Sequence, residues 1–212
     1  MKNPWLDVPL ADYEGHMALP GIEQAQLLAD ILAGTLEQFL PQSVAVLGCA
    51  GGNGFERIAS GVTRVVGVDI NPRFVAEAGA RFGGRLKNLE LIVGDIQDDE
   101  VSFEPVDLIF AGLVLEYVNV EVVVARTASM LTAAGRLVTV LQLPSESHGQ
   151  VSPSPFSSVQ SLAEVMHLVP PSRLQKAAKD QGYTQMASRR VASRGGKCFQ
   201  VQVFRLERAR QE

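Results

Sequence analysis

Residues 44–56 read VAVLGCAGGNGFE, and the architecture of the chain turns on this stretch. Four apolar residues, Val44 to Leu47, precede seven positions, Gly48 to Gly54, that hold four glycines and an alanine. A short, continuous apolar run bounded by turn residues suits a strand buried on both faces. A loop this bare lets a ligand come close to the backbone. FERIAS (55–60) is predicted to open a helix straight out of the loop, its free N–H groups facing the same space.

Working outward, Leu27, Leu28, Ile31, Leu32, Leu36 and Phe39 share one helical face, which predicts an amphipathic helix over 22–40, closed by Pro41. TRVVGVD (63–69) is a second buried strand. Asn71 and Pro72 then supply a cap and a first-turn proline for a helix facing inward through Phe74, Val75, Ala78 and Phe82. LELIVGD (89–95), VDLIFAG (106–112) and RLVTVLQL (136–143) are further strands. Val122, Val123 and Val124 favour a strand by propensity, but their place before Gly135 and another strand makes 119–133 a helix. PSESHGQVSPSPFSS (144–158) is too rich in Ser and Pro for a regular element. A short helical segment near 159–168 follows, with His167 on its apolar face, and then a helix from Pro170-Pro171 to just before Gly182. Runs 184–192 and 197–206, joined across Arg194-Gly195-Gly196, form an antiparallel hairpin. Alternating strands and helices specify an open, mostly parallel sheet covered on both faces.

The bulk composition sets the class. The chain has 212 residues, 46% apolar and 20% charged, with a net charge of −4, as expected of one soluble domain over 1–212. No apolar run approaches the ~20 residues of a membrane helix. The N-terminal segment has no apolar signal core, and Cys49 and Cys198 do not make a disulfide framework, so the expected location is cytoplasmic. Residues 1–40 carry one base against six acids, and 172–212 carry ten bases against three acids. With a negative total, the basic tail reads as a solvated hairpin face rather than a nucleic-acid surface. The three histidines lack metal-ligand spacing, so no metal site is expected.

A strand, a glycine loop and a helix N-terminus serve two cofactor types, dinucleotides and S-adenosylmethionine. Both carry an adenosine ribose that calls for a carboxylate at the end of the second strand. Asp69, twenty-one residues beyond Gly48, is that carboxylate. The glycines separate the two ligands. No start in this loop completes G-x-G-x-x-G, whereas Gly48-x-Ala50-x-Gly52-x-Gly54 resembles the first motif of the class I S-adenosylmethionine-dependent methyltransferases. VVGVDINPRFVAEA (65–78), LIVGDIQD (91–98), DLIFAGLVLEYV (107–118) and MLTAAGRLVTV (130–140) are similar to that family's later segments, in order and at the right spacing.

The resemblance implies a seven-stranded α/β, Rossmann-like sheet with a closing antiparallel hairpin, capped by an N-terminal helical segment (1–40) and carrying a substrate lid at 144–170. It implies S-adenosylmethionine as cofactor. Gly48, Ala50, Gly52 and Gly54 would form the loop for its methionine part, Asp69 would hold the ribose, and Ile70, Asp95 and Ile96 would surround adenine. The family commonly has an acid two residues before the first motif glycine, where this chain has Val46.

Acceptors of such sheets bind beyond the carboxyl ends of the strands. Candidate catalytic residues are therefore Tyr13 and His16, the latter as a base, from DYEGHM (12–17), and Glu116 after the fourth strand. Tyr117 and Phe156 are candidate substrate contacts, and His148 falls in the lid. Residues 141–172 contain no Lys or Arg and 1–40 only Lys2, so the expected partner is a small molecule, neutral or cationic for preference, with nucleic acid and membrane disfavoured and a homodimer left open. The function expected is methyl transfer to an O, N or C acceptor. Two alternatives stand beside it: a non-catalytic protein that binds the cofactor or its demethylated product, and an NAD-dependent oxidoreductase.

Overall fold

The computed structural model describes residues 3–145 and 149–207; His148 lies outside them. Strand β1 (Ser43–Leu47) forms from the apolar run and pairs in parallel with β2 (Arg64–Asp69) on one side and β4 (Val106–Gly112) on the other. Outside β2 lies β3 (Leu89–Val93) and outside β4 lies β5 (Leu131–Gln142), both parallel. The antiparallel strands β7 (Cys198–Leu206) and β6 (Tyr183–Ala192) complete the order β3-β2-β1-β4-β5-β7-β6. The order reverses between β1 and β4, and a crevice opens past their carboxyl ends, where ligands of doubly wound sheets sit.

Alternation along the strands divides the core. Ala45, Leu47, Val66, Val68, Ile109 and Ala111 face helices α4 (Val120–Ser129) and α6 (Pro171–Asp180) through Val123, Val124, Leu174 and Ala178. Val44, Val46, Val65, Leu108 and Phe110 face helix α2 (Gln24–Phe39) through Leu28, Ile31, Leu32 and Leu36. Helix α3 (Pro72–Phe82) starts as its sequence requires: the Asn71 side chain accepts from the Arg73 N–H at 3.0 Å, with Pro72 in the first turn. Asn119 caps α4 in the same way through the Val122 N–H at 3.1 Å, so three successive valines sit in a helix because the cap and the burial of Val123 and Val124 outweigh their strand preference.

Three expectations are corrected. FERIAS makes only a single 3-10 turn, Phe55–Arg57, and Ile58 is already extended. Phe55 and Ile58 are both buried in the α2-side core, and a turn that aligns positions i and i+3 delivers both without a helix. The segment near 159–168 is one short α turn, α5 (Ser157–Gln160), followed by a 3-10 turn, Ser161–Glu164. His167 is exposed rather than in the core, because the chain there is already extended; its N–H donates to the Glu116 carbonyl at 2.8 Å.

The N-terminal cap contains more structure than its sequence suggested: a 3-10 turn, Pro4–Leu6, and helix α1 (Leu10–Ala18). It is fastened over the crevice from several directions. Asn71 Nδ2 donates to the Trp5 carbonyl at 2.8 Å, Arg73 donates to the Leu6 carbonyl at 2.6 Å, and Arg81 holds both oxygens of Glu14. Val8, Ala50, Phe74, Val159 and Leu162 form a small third core where cap and lid meet the sheet.

Candidate active site

Two adjoining cavities lie at the carboxyl ends of the strands. The first, about 640 Å³ with open solvent included, runs across the crevice from β1 to β3 and β4. Gly48 and Ala50 form one wall, Asp69 and Ile70 the end of β2, Asp95 and Ile96 the end of β3, and Leu113 and Tyr117 the segment after β4.

Asp69 is fixed before any ligand arrives. Its Oδ2 accepts from the Ala50 N–H at 2.9 Å and its Oδ1 from the Asn71 N–H at 2.9 Å. Each oxygen keeps a lone pair for a further donor, which is what a ribose diol offers. Burial raises its pKa, and the backbone N–H groups act against that rise. Asp95 is oriented by Gln97, whose backbone N–H donates at 2.9 Å. The apolar side chains of Ile70 and Ile96 border the same cavity and suit the faces of a purine. Gly48 has φ +68°, and a Cβ there would meet Val114 at 3.0 Å, so the wall stays bare by necessity.

The other loop glycines act at a remove. Gly52 (φ +91°) and Gly54 (φ +85°) are not on the cavity wall; a Cβ at Gly52 would strike Phe82 at 2.6 Å, and one at Gly54 would reach Leu32 at 3.0 Å. They shape the loop against α3 and α2. Val46 is buried in the α2-side core, opposite Gly67 and Phe110 in the sheet, and lines neither cavity. With no helix after the loop, the charge attraction expected of a helix N-terminus is also missing; the Gly52 and Asn53 N–H groups are spent on the Cys49 carbonyl.

The second cavity, about 490 Å³, shares a wall of Trp5, Tyr13, Leu113 and Tyr117 with the first. Trp5 stands edge-on to Tyr13 (5.7 Å) and Tyr117 (5.0 Å), and Tyr13 stacks on Phe74. Burial raises the pKa of both tyrosines, so each hydroxyl stays protonated, a donor and not a base. His16 lines this cavity and its Nδ1 lies 2.9 Å from Ser154 Oγ. That hydroxyl already accepts from Gln160 Nε2 and the Phe156 N–H, both at 3.3 Å, which leaves its own proton for His16 Nδ1. On this network the neutral ring carries its proton on Nε2. Burial and the nearby Lys197 charge lower the His16 pKa, which keeps the ring neutral. The expected base is thus held as a donor.

Two other candidates stand apart from both cavities. Phe156 packs against the α1 backbone, where a Cβ on Gly15 would meet its ring at 2.5 Å, and so ties lid to cap. Glu116 is 1% exposed and reaches neither wall. Its Oε1 accepts from the Gln142 N–H at 2.7 Å, its Oε2 has no partner, and burial pushes its pKa up to about 7.

One residue of the second cavity escaped the sequence reading. Lys197, at the start of β7, is 3% exposed and lines the wall. Its Nζ donates to the Gln150 carbonyl at 2.8 Å and to Gln142 Oε1 at 3.3 Å, and burial lowers its pKa to about 8. Counting bases in residues 1–40 and 141–172 passed over it, because the cavity also draws on the hairpin. The lack of bases in those segments therefore does not leave this cavity without a cationic side chain.

The strand order with its closing antiparallel hairpin, and an acid-tipped β2 beside a bare loop, define a class I methyltransferase fold. Residues 45–139 match the methyltransferase domain family, a match that favours S-adenosylmethionine over a nicotinamide cofactor. Among solved structures it is similar to N-methyltransferase NodS from Bradyrhizobium japonicum WM9 in complex with S-adenosyl-L-homocysteine, with a TM-score of 0.67, 18% identity and 89% of each chain covered. It is also similar to magnesium protoporphyrin IX methyltransferase (ChlM) from Synechocystis PCC 6803, with a TM-score of 0.66, 14% identity, and 86% of this chain and 83% of that one covered. A third similar structure is the [4+2]-cyclase SpnF, with a TM-score of 0.65, 13% identity, and 85% and 82% covered. No curated protein sequence matches the chain. Among the described residues, no helix is long and apolar enough to cross a membrane.

Proposed function

We propose that this protein transfers a methyl group from S-adenosylmethionine to a small molecule held in the second cavity. The observation that carries the reading is the shared wall: Trp5, Tyr13, Leu113 and Tyr117 border both the Asp69 cleft and the His16 cavity, so two ligands can meet across them. The cofactor, when bound, supplies a methyl group already activated by its sulfonium. Asp69 would hold the ribose hydroxyls, Ile70, Ile96 and Asp95 would hold the adenine, and Gly48 and Ala50 would leave room for the methionine part. The cap contributes Trp5 and Tyr13, which exclude water and restrict the acceptor's approach, the main protein contribution to such a displacement. His16 and Tyr13 orient the acceptor as hydrogen-bond donors.

With both tyrosines protonated and His16 Nδ1 engaged by Ser154, the reading favours an acceptor that is nucleophilic without prior deprotonation. The same observation, with Val46, also favours a second reading: cofactor binding without turnover. The decisive first test is calorimetric titration with S-adenosylhomocysteine, comparing wild type with Asp69→Ala. Saturable binding that weakens at least about tenfold in the variant is expected, from lost charge-assisted hydrogen bonds of about 1.5–3 kcal/mol. No binding to wild type would sink both readings. Binding without product across an acceptor screen would leave the second.

A further inference from the structure

The polar end of the second cavity holds a feature that methyl transfer itself does not use. Lys197 is buried, and among the described residues no carboxylate lies within ion-pair distance of its ammonium. Among the described residues its partners are a backbone carbonyl and a side-chain amide oxygen, both neutral, and they take two of its three N–H donors. Burying an unpaired ammonium is costly, and such groups are retained where a counter-charge arrives.

The placement is built, not incidental. The β6–β7 turn is pressed onto the cap so tightly that a Cβ on Gly195 would lie 1.4 Å from the Gly21 carbonyl oxygen. The turn closes through Ser193 N–H to the Lys197 carbonyl at 2.9 Å, and Gly196 adopts φ +86°. Contact between cap and hairpin thus carries Lys197 to the wall that His16 also lines. His16, neutral with its proton on Nε2, is a second donor in the same cavity. Apolar side chains, Met17, Leu113, Leu162 and Met166, line the same cavity.

We propose that the acceptor is a small carboxylic acid with an apolar body, its carboxylate bound by Lys197 with His16 as a further donor, and its body directed towards the Tyr13–Tyr117 wall. This assignment rests on the second cavity being the acceptor site, and it names the class of molecule that site takes. Lys197 is a specificity-determining residue here. It forms no bond to the transferred group.

The test uses the full chain with S-adenosylhomocysteine added, titrated with benzoate, benzamide and benzylammonium at millimolar concentrations and followed by ligand-observed NMR. The three share a phenyl ring and carry an anionic, a neutral and a cationic polar group in turn. Benzoate is expected to bind, and benzamide and benzylammonium to bind about tenfold or more weakly, the scale of a hydrogen bond to a charged group. Lys197→Met is expected to abolish the preference for benzoate while keeping S-adenosylhomocysteine affinity. It should also hold or raise the melting temperature, because it removes a buried charge. A merely structural lysine gives the opposite pattern: a lower melting temperature in Lys197→Met with benzoate binding unchanged. That pattern overturns the proposal, as does equal binding of the three rings or no benzoate binding at all. Loss of S-adenosylhomocysteine binding in the wild type would instead strike at the cofactor cleft, leaving the benzoate comparison to be read on its own.

Discussion

Replacing Glu116 with glutamine should stabilise the protein increasingly from about pH 4.5 to about pH 7 and fully above that, while changing little below pH 4.5. Glu116 is 1% exposed, one oxygen accepts a single backbone hydrogen bond, and the other has no partner. Its pKa rises from 4.5 to about 7, with burial as the leading cause. At 1.36 kcal/mol for each tenfold change in acidity, ionising it in the folded state costs about 3 kcal/mol. Between these two pKa values the folded protein keeps a proton that the unfolded chain has lost, so stability falls as pH rises through the window. Below pH 4.5 both states are protonated and the contribution vanishes; above about 7 the full cost is present. Glutamine keeps an oxygen for the Gln142 N–H and has no charge to bury. The stability gain of Glu116→Gln should therefore grow by about 3 kcal/mol from about pH 5 to about pH 8, read by urea unfolding. In melting temperature this is about 6–12 °C for a chain of this size. His16, with its lowered pKa, pushes wild-type stability the other way, since its unfolded state takes up the proton first, and Lys197 does so at higher pH. Both are present in both proteins and cancel in the difference. A gain that stays flat across this range would refute the reasoning and mean that the carboxylate reaches water.

Two further substitutions probe packing that the site depends on. Val46→Asp, which restores the acid of related proteins, should destabilise by about 3–5 kcal/mol and leave S-adenosylhomocysteine affinity no better, because the position is buried among aliphatic groups without a partner; tighter binding with an unchanged melt would contradict this. Gly195→Ala should cost about 1–3 kcal/mol in a denaturant titration, since its methyl group must push apart the backbones that touch at Gly21; an unaffected midpoint would mean the hairpin turn does not rest on the cap.

The sheet and the cleft around Asp69 were legible in the sequence because both are local. Val44–Leu47 and 64–69 are continuous apolar runs, the loop announces itself by its glycines, and Asp69 stands at a spacing fixed by one strand–loop–strand unit. FERIAS misled because Phe55 and Ile58, three apart, satisfy a 3-10 turn as well as a helix. The tie between Ala50 and Asp69, nineteen residues apart, could be guessed from the unit. The His16–Ser154 contact, across 138 residues, could not.

That contrast explains why the acceptor half resists reading. Tyr13 and His16 come from α1, Tyr117 from the turn after β4, Gln150 and Leu162 from the lid, and Lys197 from the hairpin at the far end of the chain. No periodicity links them; only packing between cap and hairpin does. The sole local sign is the pair Gly195-Gly196, which looks like ordinary turn chemistry but is required because backbone meets backbone at Gly21. Charge in the cap and lid misleads for the same reason. Residues 141–172 and 1–40 contain one base between them, yet the cavity's buried lysine, Lys197, comes from the turn just before β7. In a fold whose Asp69 cleft is set by strand ends, a buried charge can thus be brought beside that cleft from the closing hairpin. Such a residue can change without touching Asp69 or the glycine loop.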